Sequence, residues 1–142
     1  MFSDILLAVD LTSPGTQEKA VGIAVEHAKA FGSRLHVITI VPEFNSSIVA
    51  GFFPPDFEEK ALEHAREQLH GYCERAIPEG VEVQHIVGHG TIHTEIVEAA
   101  NSTGSGLIIM ASHHPDLSDL LISANAERVV RHSDCSVLVV RS

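Results

Sequence analysis

Short apolar runs alternate with helical repeats along the chain. The runs occupy residues 5–9, 35–41, 81–87, 107–111 and 137–140. Four of them are apolar on both faces, which is typical of parallel strands that are covered by helices on both sides. In the third run, polar Glu82, Gln84 and His85 are interleaved with apolar residues, so we expect a strand near the edge of the sheet.

The segments between the runs repeat apolar residues at spacings of three and four, which predicts amphipathic helices. They cover residues 16–31, 56–77, 92–102 and 125–132. The first carries Phe31 on its apolar stripe and stops at Gly32. In the last predicted helix, Ala126, Val129 and Val130 point inward. The order βαβαβαβαβ predicts an α/β fold with a five-stranded parallel open sheet and helices on both faces, in a single domain over residues 1–142.

The connection from residue 42 to residue 55 is the one long irregular segment of this pattern. It is too apolar for a solvated linker, because Phe44, Phe52 and Phe53 lie within it. We therefore expect it to form either a flap over a site or a surface that contacts a partner.

Ligands of open parallel sheets bind beyond the carboxyl ends of the strands, where the strand order switches. The residues at those ends are Asp10, Val41, the Gly88–His89–Gly90 turn and the segment 111–119. Asp10 has two interpretations, a contact to a metal or a ribose and an Asx-type turn after a strand. His113 and His114 also have two, as donors to a bound anion and as exposed loop residues. The sequence leaves both pairs of interpretations open.

Histidine and cysteine spacing gives weaker signals. His89 and His93 are four residues apart, so they would offer two metal ligands on one helix face if the helix began early. We favour two solvated histidines in a turn, since no third ligand stands at metal-site spacing. Cys73 and Cys135 form no CxxC motif, and we expect both to be small buried residues of a reduced protein.

Composition narrows the function classes further. The 142 residues contain 9 Lys and Arg against 19 Asp and Glu, a formal charge of −10 with neutral histidines. Such an acidic chain is a poor partner for nucleic acid and for anionic membranes. No apolar run reaches the ~18 residues of a membrane span. The opening MFSDILLAVDL has no basic residue ahead of its apolar stretch, so it indicates a first strand and not a secretion signal. We expect a cytoplasmic protein.

Four segments carry a family resemblance. They are ILLAVDLT at 5–12, VGHGTIHTEIVEAA at 87–100, GLIIMASH at 106–113 and NAERVVRHSDCSVLVVR at 125–141. Together they resemble the universal stress protein (UspA-like) family, and ASHHPD followed by the last segment resembles its F/G-type bacterial branch. The resemblance implies an adenine nucleotide alpha hydrolase-like, Rossmann-related fold. It also implies a homodimer formed by antiparallel pairing of the last strands, here Ser136 to Arg141.

Many members of this family bind ATP or AMP, and the resemblance implies where a nucleotide would lie in this chain. Adenine would lie against the strand ends at Ala8, Val9, Ile40, Val41 and Met110. Asp10 would be a ligand of Mg²⁺ that arrives with the nucleotide. The phosphates would lie against Ala111, His113, His114, Ser123, Ala124 and Asn125.

The phosphate motif of the family, G-x-x-G followed about nine residues later by G-S or G-T, is altered here. Ala111 and His114 stand at the two glycines, Ser123 and Ala124 stand at the final pair, and the spacer 115–122 is one residue shorter. A Cβ at such turns restricts positive φ and the close approach of the backbone to a phosphate. There is also no Lys or Arg from residue 76 to residue 127, so a triphosphate would need Mg²⁺ or protonated histidines.

Three functions are compatible with these features. The first is a dimeric stress-response and regulatory module with a degenerate ATP or AMP site. The second is a nucleotide-free protein-interaction module of the same fold, with a protein partner that the sequence does not identify; the lost glycines favour it. The third is a slow nucleotide hydrolase, which the missing constellation of nucleophile, base and arginine disfavours. We therefore expect a protein that is not an enzyme.

Overall fold

The computed structural model describes residues 2–41, 56–112 and 124–141. Its strands are Asp4–Ala8 (β1), Arg34–Val41 (β2), Val83–His89 (β3), Leu107–Ser112 (β4) and Ser136–Arg141 (β5). The α-helices within these ranges are Glu18–Phe31 (α1), Phe57–Ala76 (α2), Ile92–Thr103 (α3) and Ala124–His132 (α4). The alternation expected from the hydrophobic pattern is confirmed, although α1 begins two residues later than predicted because a 3₁₀ turn, Pro14–Gln17, precedes it. The predicted flap at 42–55 lies outside the described residues.

The five strands form one sheet in the order β3-β2-β1-β4-β5, with every neighbouring pair parallel. The chain first moves outward from β1 through β2 to β3 and then crosses back to pair β4 with the free side of β1. The strand order therefore switches between β1 and β4, and a ligand site is expected at their carboxyl ends. β3 lies at one edge of the sheet, as its mixed polarity predicted, and β5 lies at the other.

Two apolar clusters cover the two faces of the sheet. Successive side chains of a strand point to opposite faces, so Leu6 belongs to one cluster while Ile5 and Leu7 belong to the other. The cluster around Ile5 and Leu7 contains buried residues of α1 and α2, among them Ala20, Ala24 and Leu69. The cluster around Leu6 contains buried residues of α3 and α4, among them Ile96, Ala100, Ala126 and Val129. Helices on both faces of the sheet are thus confirmed.

Two residues that the helical repeats placed inward are exposed. Phe31 is 49% exposed, because it is the last residue of α1 and the chain leaves the helix at Gly32, whose φ is 64°. Val130 is 50% exposed while Val129 is fully buried. Consecutive helical residues point about 100° apart, so the sheet covers only one of these two valines. The inward prediction is wrong for both Phe31 and Val130.

The last strand is less covered than its apolar sequence predicted. Leu138 is 36% exposed, and Val137 and Val139 are only half-buried. β5 has a single neighbour, β4, so its outer backbone groups and part of its apolar surface remain open in the chain taken alone.

In the described ranges, no helix combines the length and the apolar character that a bilayer crossing requires.

Candidate functional site

A cavity of about 350 Å³ lies at the carboxyl ends of β1 and β4, the point where the strand order switches. Seven of the predicted site residues line it: Ala8, Val9, Asp10, Ile40, Met110, Ala111 and Asn125. Val41 and Ala124 are not among the lining residues. His113, His114 and Ser123 lie outside the described residues. The residues predicted at the ends of β1, β2 and β4 and at the start of α4 are therefore brought together around one space.

The walls of the cavity are mostly apolar. Ala8 and Val9 come from the end of β1, Ile40 from β2 and Met110 from β4. Two side chains that sequence reasoning missed, Ile92 and Ile96, come from the first turns of α3 and complete the wall. Their helical spacing of four signalled a buried face, but it did not signal that the face would border a cavity. A slot with such walls suits a flat, uncharged ring.

The polar part of the cavity is the turn that follows β1. Asp10 Oδ1 accepts hydrogen bonds from the Thr12 backbone N–H at 2.9 Å and from Thr12 Oγ1 at 2.6 Å. The Asx-type turn is therefore present. It uses only one carboxylate oxygen, and Oδ2 accepts no hydrogen bond from the described residues. The turn and a ligand contact are thus compatible roles for Asp10.

Gln17 completes this turn from within the cavity wall. Its side chain is only 3% exposed. Gln17 Oε1 accepts from the Asp10 backbone N–H at 2.7 Å, and Gln17 Nε2 donates to the Asp10 carbonyl at 2.8 Å. Sequence reasoning missed this residue because the predicted helix 16–31 makes it an ordinary helical position. The available signal was its place three and four residues before Ala20 and Val21, where a polar side chain interrupts an apolar stripe.

Asp10 is the only charged side chain among the described residues that line the cavity. Thr12, Thr16, Thr39 and Asn125 add neutral polar groups around it. Behind the wall, burial raises the pKa of Tyr72, and the polar side chain of Gln17 opposes that rise. No group of three or more His, Cys, Asp or Glu side chains able to hold a metal occurs in the described part of the chain. One carboxylate is too few for a protein-held Mg²⁺, which would need phosphate oxygens and water as its other ligands.

The turn between β3 and α3 is shaped by two glycines and one carboxylate. Gly90 has a φ of 133°, and a Cβ placed there would lie 3.1 Å from Glu95 Oε1. A Cβ at Gly88 would lie 3.2 Å from the Glu95 Cβ. The Glu95 carboxylate thus lies against this turn near the N-terminus of α3, where a negative charge is favourable. Among the described residues, Glu95 therefore gives this turn a negative charge, which disfavours a bound phosphate.

The two histidines around this turn do not act together. His89 Nδ1 lies 3.1 Å from Glu58 Oε1 of α2. The His93 ring instead stacks on His132 of α4, with ring centroids 5.7 Å apart. Each histidine has a neighbour on a different helix, and both are partly buried. The interpretation as two solvated turn residues is therefore wrong.

An open parallel α/β sheet with an apolar cavity at its switch point is the architecture of a small-molecule-binding domain. The profile described as the universal stress protein family matches residues 1–141 of this chain. The chain belongs to the universal stress protein family.

Individual relatives agree with this membership. Universal stress protein G of Escherichia coli O157:H7 is 28% identical over 144 residues, covering 99% of this chain and 100% of the relative. This similarity supports the F/G-type branch indicated by the sequence. The solved structure of protein MJ0577, from Methanocaldococcus jannaschii, matches with a TM-score of 0.77 at 28% identity, over 100% of this chain and 97% of the other.

Two further solved relatives were determined with adenine nucleotides. A universal stress protein in complex with cAMP matches with a TM-score of 0.63 at 18% identity, over 99% of this chain and 97% of the other. The protein from Archaeoglobus fulgidus in complex with dAMP matches with a TM-score of 0.59 at 17% identity, over 96% and 95%. At these identities the likeness shows the shared fold.

Proposed function

We propose that the cavity binds the adenosine part of an adenine nucleotide, and that the protein is a homodimeric, cytoplasmic stress-response module without enzymatic activity. The observation that carries this proposal is the cavity at the switch point, whose described lining residues are mostly apolar and include a single carboxylate. Its volume of about 350 Å³ lies near the lower end of ordinary small-molecule pockets, which span about 300–1,000 Å³. The relatives solved with cAMP and dAMP support an adenine-containing ligand.

The base and the ribose would use different parts of the cavity. An adenine ring fits between the apolar walls formed by Ile40, Met110 and Ile96. Asp10 Oδ2, which accepts no hydrogen bond from the described residues, is an available acceptor, and a ribose supplies hydroxyl donors. Thr12 holds the other carboxylate oxygen, so this acceptor is already oriented before a ligand arrives.

The phosphates would contribute little to affinity. The chain has no Lys or Arg between residues 76 and 127, and Ala111 adds a Cβ at the first position of the family's glycine motif. Each further phosphate brings negative charge toward Asp10 without a fixed cation to balance it. The site is therefore degenerate toward ATP, and ATP would bind well only with Mg²⁺ or with protonated histidines.

The homodimer would form along β5. This strand is an edge with one hydrogen-bonded neighbour, and its apolar Leu138 is 36% exposed. An open, apolar edge strand favours pairing with a second strand. Antiparallel pairing with β5 of a second copy would satisfy its outer backbone groups and cover Leu138.

A nucleotide-free protein-interaction module is the second candidate function. The altered glycine positions Ala111 and His114 favour it, since they weaken a phosphate site without affecting the fold. The two functions differ in whether the cavity binds adenosine at all.

Calorimetric titration separates these functions. Adenosine, AMP and ATP would be titrated into the protein at pH 8 with and without Mg²⁺, and again at pH 6. We expect adenosine and AMP to bind with similar affinity, and ATP without Mg²⁺ to bind more weakly at pH 8. Ala8→Leu, which fills the cavity, should abolish binding, whereas Gly22→Ala on the exposed face of α1 should not. Tight ATP binding at pH 8 without Mg²⁺ would contradict the degenerate site, and no binding of any ligand would favour the nucleotide-free module.

A further inference from the structure

We propose that Gln17 is a positioning residue of this site, whose side-chain amide fixes the Asp10 peptide so that the Asp10 carboxylate is held ready for the hydroxyl groups of a ribose. This inference rests on the proposed function, because it names what orients the ligand contact. It assigns a role to a polar residue that is buried beside the cavity.

The contact between the two residues is reciprocal. Gln17 Oε1 accepts from the Asp10 N–H at 2.7 Å while Gln17 Nε2 donates to the Asp10 carbonyl at 2.8 Å. Both backbone groups of one residue are thus bonded to one planar amide. The Gln17 side chain is 3% exposed, so water competes little for either bond.

Fixing the Asp10 backbone also fixes the direction of its Cα–Cβ bond. The remaining freedom of the carboxylate is removed by Thr12, whose N–H and Oγ1 both donate to Oδ1. Oδ2 is left without a hydrogen bond from the described residues. A preoriented acceptor loses less conformational entropy when a ligand binds than a mobile one does.

Gln17 is itself held from two sides. It ends the 3₁₀ turn in which Thr16 Oγ1 donates to the Ser13 carbonyl at 2.7 Å. Tyr72 of α2 lies beside the Gln17 side chain, which opposes the rise of the Tyr72 pKa. The chain of contacts therefore runs from α2 through Gln17 to the Asp10 peptide and then to its carboxylate.

Ligands that differ in their ribose hydroxyls distinguish a positioning role of Gln17 from simple structural support. The probes are adenosine, which has both ribose hydroxyls, 2′,3′-dideoxyadenosine, which has neither, and free adenine. We expect Gln17→Ala to weaken adenosine binding about tenfold and to leave binding of the other two unchanged. In an Asp10→Asn background, Gln17→Ala should cause no further loss, because the two residues act through one contact. Gln68→Ala, on the exposed face of α2, is the matched control and should change nothing.

Gln17→Glu adds a test that depends on pH. A carboxylate accepts from the Asp10 N–H but cannot donate to the Asp10 carbonyl, whereas a protonated carboxyl does both. Burial and the nearby Asp10 favour the protonated form. The adenosine affinity of this variant should therefore be low at pH 8 and recover toward the wild-type value at pH 6.

Amide hydrogen exchange tests the contact between the Gln17 side chain and the Asp10 peptide without any ligand. Gln17→Ala should speed exchange of the Asp10 amide at least tenfold and leave the Ala24 amide in α1 unchanged. Unchanged exchange at Asp10, or an equal loss of adenosine and adenine affinity, would overturn the proposal. If the wild-type protein binds no adenosine, the proposed function and the role of Gln17 in ligand binding are overturned. Faster exchange at Asp10 in Gln17→Ala would still establish that Gln17 holds the Asp10 peptide.

Discussion

His36 Nε2 lies 2.8 Å from Asp4 Oδ1 and joins β2 to β1 near the amino ends of the strands. The histidine side chain is only 3% exposed. Its Nδ1 contacts Gln84 Oε1 of β3, so one imidazole connects three neighbouring strands. This polar row lies at the end of the sheet opposite the cavity and strengthens the half of the sheet that ends at the β3 edge.

The His36–Asp4 pair predicts a loss of stability in acid. The hydrogen bond from His36 lowers the pKa of Asp4 below its ordinary 3.8, and Arg34 contributes to the same shift. A carboxyl whose pKa is lower when folded stabilises the protein above its unfolded pKa, and that stability is lost as the pH falls through the folded pKa. Asp4→Ala should therefore lower the free energy of unfolding by about 1–3 kcal/mol at pH 7, and in urea titrations this loss should shrink as the pH is lowered below 3.8.

An exposed ion pair serves as the control for this variant. Glu127 and Arg131 are four residues apart on α4, with both side chains at least 60% exposed. Glu127→Ala should cost about 0.3–0.5 kcal/mol. Equal losses from Asp4→Ala and Glu127→Ala at pH 7 would contradict the role given to the His36–Asp4 pair.

Much of the fold follows from the local pattern. Runs such as 35–41 are apolar on both faces, and this is a direct consequence of burial under helices on both sides. The two exposed residues show the limit of that reasoning. Phe31 keeps the helical repeat but lies at the end of α1, and Val130 competes with Val129 for one face. How far a helix extends over the sheet is a tertiary property that spacing does not contain.

The site is predictable only in part, for a similar reason. Asp10 and Met110 stand at strand ends, so topology alone directs attention to them. Ile96 and Gln17 were missed because their roles depend on where a helix and a turn pack, not on a motif. The histidines show a different error: the sequence predicts His89 and His93 as solvated turn residues, but their side chains contact different helices.

Two glycines predict opposite responses to the same substitution. Gly22 lies on the exposed side of α1, and a Cβ there would meet no atom within 4 Å. Gly22→Ala should therefore raise the free energy of unfolding by about 0.5–1 kcal/mol. Gly90 has a φ of 133°, and a Cβ at this position would press against Glu95. Gly90→Ala should therefore lower the free energy of unfolding by about 1–3 kcal/mol. Urea titration of both variants checks the signs, and a stabilising Gly90→Ala would show that the β3–α3 turn is differently shaped.

The two cysteines should differ in reactivity. Burial raises the pKa of Cys73 to about 11, so the reactive thiolate is about one part in a thousand at pH 8. Cys135 is only half-buried, with its Sγ 3.2 Å from Ser133 Oγ. In the Cys135→Ser variant, a thiol reagent at pH 8 should label Cys73 slowly in the folded protein and quickly in urea. Rapid labelling without urea would mean that α2 separates readily from the sheet.

The exposed Leu138 of β5 allows a test of the oligomeric state. A lysine there would bring charge to the open edge of β5 and disfavour strand pairing between two copies. We expect Leu138→Lys to sediment as a monomer. Phe31→Lys is the matched control, because Phe31 is at least as exposed but lies at the end of α1, and this variant should remain a dimer. A Leu138→Lys protein that stays dimeric would place the interface elsewhere.

Binding of an adenine nucleotide at the carboxyl ends of β1 and β4 is tested most directly by NMR titration of ¹⁵N-labelled protein with AMP. The largest amide shifts are predicted at the cavity residues Ala8, Thr39, Met110 and Asn125. The amides of Asp4 and Arg34, at the opposite end of the sheet, should not move. Shifts centred on Asp4 and Arg34, or no shifts at the cavity at saturating AMP, would contradict the assignment of this cavity as the nucleotide site.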